Sequence, residues 1–168
     1  MAGDFDDFAA RYKKEDDDRK RLAEEIGPEW FALRGFVAAL AQDGKEFDGR
    51  KLEWVPDAAC LVLDSVGAFL QQREINGNVS DCRIRFDRKP IGPNQVWVDE
   101  RSPLEPEVWS LEPTIVDNNF RWSITNVGVP RPAFSSAELS QRIGIKLAEV
   151  HLAYRKHYED WSPVKKIG

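Results

Sequence analysis

The amino-acid sequence predicts an α+β fold with two N-terminal helices, a curved antiparallel sheet, and a long C-terminal helix packed across that sheet. Three observations carry this expectation. Helical periodicity is confined to the two ends of the chain, period-two alternation fills the middle, and a capping box opens the last helical stretch. With 168 residues, 42% apolar and 32% charged, the chain can bury a core without disulfides or metal. Residues 1–168 therefore read as a single α+β domain.

Residues 4–26 read as a charged, peripheral first helix. Phe5, Phe8 and Tyr12 share one face of it, and Leu22 and Ile26 share a later turn. The run Lys13-Lys14-Glu15-Asp16-Asp17-Asp18-Arg19-Lys20-Arg21 between them has the pattern of a solvated helix face. Gly27-Pro28 is expected to break the chain, with Pro28 opening a second helix, because proline suits a first helical turn. Trp30, Leu33, Phe36, Val37, Leu40 and Ala41 then lie on one wide arc that should pack firmly, and Gly44 is the expected stop.

From about residue 47 the period changes to two. Leu52 and Trp54 alternate with charged neighbours, as do Cys82, Ile84 and Phe86 with Arg83, Arg85 and Asp87, and Phe120, Trp122 and Ile124 with Arg121 and Ser123. Val96 and Val98 flank Trp97 in the same way. These are strands buried on one face. Residues 57–73 fit either period, and Gly67 tips them toward strands. Asn76-Gly77-Asn78 marks a hairpin, while Ile91-Gly92-Pro93-Asn94, Ser102-Pro103 and Val127-Gly128-Val129-Pro130 are further breaks. Ser135-Ser136-Ala137-Glu138 matches a capping box, with Ser135 capping and Glu138 reaching back. Leu139, Ile143, Leu147, Val150, Tyr154, Tyr158 and Trp161 continue as one stripe, giving a helix of about 24 residues that ends before Pro163.

Several function classes lack their signatures. No phosphate-binding glycine loop and no GxSxG motif occur, and Cys60 and Cys82 form no CxxC, so they read as two buried free thiols. His151 and His157 lie six apart and point about 120° away from each other on a helix, so they cannot share a metal. No metal or other cofactor is expected. A net charge of −5, from 24 basic and 29 acidic residues, disfavours nucleic acid as a partner. No membrane-length apolar segment is present, and the N-terminus is acidic where a secretory leader would be basic, so cytoplasmic residence is the expectation.

Three groups of residues remain as binding candidates. Arg83, Arg85, Arg88 and Lys89 form a basic cluster, with Trp97 expected on a neighbouring strand; arginine forks hold anions or pair with carboxylates across strands. Tyr154, His157 and Tyr158 would line a cavity between sheet and last helix, where a small-molecule or enzymatic site could sit with Arg83 or Arg85 as anion anchor. The third group is Ile145, Ala148 and Leu152. They form a second apolar strip nearly opposite the main stripe of the last helix, to be covered either by the N-terminal helix, the simpler alternative, or by a partner. The missing catalytic motifs and this strip together favour a non-enzymatic protein-interaction domain with a protein partner or a second copy, over a ligand-binding or enzymatic cavity.

Overall fold

The computed structural model describes residues 2–90, 92–97, 106–127, 131–158 and 164–166. The expectations at Ile91, Val98–Glu100, Ser102-Pro103, Gly128–Pro130, Trp161 and Pro163 lie outside the described residues, as do the side chains of Trp97, His157 and Tyr158.

One helix occupies the N-terminal quarter of the chain, where two were expected. α1 runs from Ala2 to Gln42 with Pro28 inside it. Proline removes one helical hydrogen bond and crowds the carbonyl four residues back, which is why Gly27-Pro28 read as a break. The core overrides that local cost. Leu22, Ile26, Trp30, Leu33, Val37 and Leu40 follow one another at intervals of three or four and all pack on the core, so a single stripe crosses the proline without interruption. Phe36 is not on this face and stays 45% exposed.

The sheet is antiparallel throughout. β1 (Glu46–Phe47), β2 (Arg50–Val55), β3 (Cys60–Leu63), β4 (Val66–Ile75) and β5 (Asn78–Arg88) follow in sequence order, and β7 (Glu107–Val116), β8 (Asn119–Ile124) and β9 (Ala133–Phe134) complete eight strands in the order β1-β2-β3-β4-β5-β7-β8-β9. β6 (Gln95–Trp97) leaves this sheet and pairs with β10 (Val164–Lys166). Residues 57–73 are thus a turn and strands. The β4–β5 hairpin turns on Asn76 and Gly77, both at positive φ, as the sequence signal requires.

The expected curved sheet is corrected to an open one, neither closed nor strongly curled, with β1 and β9 as its edges. The reason lies in what covers it. α1 and α2 (Ser136–Tyr158) both contribute to the core on one face, and they touch closely at Gly144, where a Cβ would stand 3.2 Å from Leu40 Cδ1. A pair of adjacent helices needs a broad platform, whereas a curled sheet accommodates one. Leu61, Leu63, Val66, Ala68, Ile84, Phe86 and Trp122 fill the sheet side of this core. On the opposite face Gly67 backs onto Cys60, whose Sγ would lie 2.6 Å from any Cβ at that position.

α2 begins as the sequence predicts. Ser135 Oγ accepts from the Glu138 amide at 3.1 Å, and Glu138 Oε1 accepts from the Ser135 amide at 3.2 Å. This holds the Glu138 carboxyl below its ordinary pKa, through the Ser135 backbone N–H first and its hydroxyl second. Leu139, Ile143, Leu147, Val150 and Tyr154 are buried. Ser136 sits at a polar junction inside the core: its hydroxyl accepts from Trp122 Nε1 (3.0 Å) and lies 2.7 Å from Glu29 Oε2, linking α2, β8 and α1.

Candidate functional site

The second apolar strip of α2 lines an apolar groove. Ile145 is 53% exposed and Leu152 49%, with Ala148 half-buried between them. Phe47 from β1, Leu52 from β2, Leu63 from β3 and Leu40 from α1 form the other wall of a groove of about 400 Å³. Ile145 also borders a smaller hollow of about 200 Å³ with Trp109, Ile124 and Phe134. Cover of this strip by the N-terminal helix, the simpler expectation, does not occur. α1 is one rod, so only its C-terminal end, at Leu40, meets the groove.

The groove depends on a polar tether that the sequence reading missed. Asp48 follows Phe47 in the β1–β2 turn, at φ 55°, next to Gly49 at φ 74°. Its carboxylate Oδ2 accepts from His151 Nε2 at 3.1 Å and bonds the Arg155 guanidinium, both on α2. Arg155 first, and His151 second, hold the Asp48 carboxyl below its ordinary pKa. The His151 ring, 1% exposed, meets Phe47 edge-on with centroids 6.1 Å apart. This clamps the β1–β2 hairpin to α2 and sets the spacing of the groove walls. An Asp–His pair resembles an acid–base dyad, but here Nδ1 is buried without a hydrogen-bond partner and faces no solvent, so no substrate could reach it. The available sequence signals were the Asp48-Gly49 turn dipeptide and a histidine one turn beyond Leu147 on the buried stripe.

The basic cluster divides. Arg83 and Arg85 alternate with the buried Cys82, Ile84 and Phe86, so they lie on the sheet face away from α2. Arg83 bonds Asp81 at 3.4 Å, and Arg85 bonds Asp87 on the same strand while lying over the Phe69 ring at 5.8 Å. The Arg88 amide donates to Asp87 Oδ1 at 2.8 Å. Tyr154 is 5% exposed in the core on the other side of the sheet, so Arg83 and Arg85 share no cavity with it. Trp97 is on β6, whose backbone pairs with β10, and His157 and Tyr158 close α2. Both cysteines are free and buried, and burial pushes each thiol up to about 12.

Among the described residues no group of three His, Cys, Asp or Glu could hold a metal ion, and no helix is long and apolar enough to cross a membrane. No protein family, curated protein or solved structure matches this chain. The fold and the groove, an α+β arrangement with an exposed apolar helix face, therefore carry the functional argument alone.

Proposed function

We propose that this chain works as one protein-interaction domain that self-associates through the outer groove of α2. The carrying observation is the exposure of Ile145 and Leu152 beside Phe47 and Leu52 in one apolar groove. Helix faces pointing at water do not need such residues, and contiguous apolar surface of this kind marks contact sites.

The occupant in this reading is the N-terminal end of α1 from a second copy. Phe5, Phe8 and Tyr12 are 73%, 63% and 62% exposed, at the i, i+3, i+7 spacing of a helix seated in a groove. They cannot reach the groove of their own chain. Leu40 lines that groove, and Tyr12 lies 28 residues before it on the same helix, about 42 Å away at 1.5 Å per residue. A second copy removes this constraint, and mutual exchange of arms gives a closed two-fold dimer. The arm carries Asp4, Asp6 and Asp7 before Arg11 and Lys14, and the groove rim carries Lys45 with Glu46 and Glu149, so charges of both signs find partners. Two buried free thiols suit a reducing compartment, and cytoplasmic residence belongs to the same proposal.

Sedimentation equilibrium tests it at high micromolar concentration. Wild type should form dimers. Ile145→Asp/Leu152→Asp and Phe5→Ser/Phe8→Ser/Tyr12→Ser should each be folded monomers by circular dichroism, because one loses the groove and the other the arm. A monomeric wild type, or dimers that survive both variants, would refute the proposal.

A further inference from the structure

One wall of the α2 groove is a surface segment held at few points. Residues 43–49 leave the end of α1 and form β1 with a turn on either side of it. Each turn carries a glycine at positive φ, Gly44 at 65° and Gly49 at 74°, so the segment hangs between two points where the backbone turns with the least steric resistance. Taken as whole residues, 42–49 are all exposed except Phe47, which is half-buried. β1 is two residues long and, among the described residues, has no strand on its outer edge.

On the sheet side this strap has two rungs to β2, Glu46 with Lys51 and Phe47 with Arg50, and the Leu52 amide donates to Lys45 O at 3.2 Å. On the helix side it has the Asp48 carboxylate, held by His151 and Arg155, and the Phe47 ring against His151. β2 is anchored separately. Four rungs join it to β3, and Arg50 Nε reaches Asp64 Oδ2 in the β3–β4 turn at 3.1 Å. The part free to swing is therefore 43–49, with β2 staying in place, and a swing carries Lys45, Glu46 and Phe47 out of the groove lining. Short edge segments with few buried contacts are the parts of a fold that open locally.

We propose that residues 43–49 are a hinged strap latched by Asp48, which completes the α2 groove when closed and removes one of its walls when open. The link to function rests on the reading of the groove as the self-association site. A docked arm gains the Phe47 contact only from the closed strap, so docking favours closure and opening opposes docking. Asp48 is thus a positioning residue, acting on the arm through Phe47.

Amide hydrogen exchange followed by NMR on the full chain tests this. The Leu52 amide reports the strap, because its acceptor is Lys45 O, and the Ile84 amide in β5 reports opening of the core. Ser136→Ala should lower the protection of Ile84 and leave that of Leu52 unchanged, because opening the strap does not open the core. Asp48→Asn, whose side chain suits positive φ but carries no charge, should lower Leu52 protection about fivefold, the upper range for an exposed ion pair. Docking suffers only once the open strap is a sizeable fraction of the molecules. Asp48→Lys, which sets a like charge against Arg155, should reach that point and sediment as a folded monomer with Ile84 still protected. In Phe5→Ser/Phe8→Ser/Tyr12→Ser, which keeps the groove but loses the arm, Leu52 should be less protected than in dimeric wild type. A Leu52 amide that follows Ile84 in Ser136→Ala, or that Asp48→Asn leaves unmoved, would overturn the strap. An Asp48→Lys variant that dimerises like wild type would overturn its link to the groove. A monomeric wild type would instead overturn the reading of the groove, and Leu52 exchange would still decide the strap.

Discussion

Ser136→Ala isolates the polar junction that joins the three layers of this core. The substitution deletes one oxygen and keeps the helix former. Trp122, 0% exposed, loses the only acceptor shown for its Nε1–H. An indole N–H stranded in this way costs ~1–3 kcal/mol. Glu29 also loses a hydroxyl at 2.7 Å, but it is partly exposed and water can compensate, so its share is small. The expected loss is therefore ~2 kcal/mol, which for a chain of this length lowers Tm by about 4–8 °C. Urea denaturation followed by tryptophan fluorescence should show a lower midpoint with an unchanged slope. Combining Ser136→Ala with Trp122→Phe removes donor and acceptor together, so the double variant should lose less than the sum of the single losses. A Ser136→Ala variant within about 0.5 kcal/mol of wild type would sink the argument, since that is the range of an ordinary surface substitution.

Two further expectations concern titration and reactivity. Asp48 and Glu138 both have folded-state pKa values below their ordinary 3.8 and 4.5, so each stabilises the fold fully above those values and loses that contribution as pH falls through the folded value. Urea midpoints should hold level with respect to these groups down to about pH 4.5 and decline below it. Asp48→Asn/Glu138→Gln should be less stable at neutral pH with a shallower acid limb; an acid limb as steep as that of wild type would show that other carboxylates control it. Cys60 and Cys82, with thiols pushed up to about 12, should not react with a thiol-specific chromogenic disulfide while folded and should both titrate in denaturant. Rapid labelling of the native protein would show that the core opens far more readily than its packing implies.

The sequence was most informative wherever one residue type has one physical use. Asn76-Gly77 turns a hairpin because both positions need positive φ, and Ser135 with Glu138 caps a helix because each satisfies the other's amide. The α2 stripe from Leu139 to Tyr154 and the strand alternation around Ile84 and Trp122 follow from periodicity alone. The strip of Ile145, Ala148 and Leu152 was visible for the same reason, as an apolar excess off the main stripe, although its expected cover by the N-terminal helix does not form.

Local chemistry misled at Pro28, where the stability of the continuous Leu22–Leu40 stripe outweighs one missing hydrogen bond. Because α1 is then one rod, it cannot fold back over α2, so the strip stays open and the N-terminal aromatics project. Asp48 and His151 are 103 residues apart, so no spacing in the chain announces their constellation. Periodicity and caps are local and belong to the sequence; which faces are covered, and which distant side chains meet, depends on how the elements pack and was decided by the tertiary structure alone.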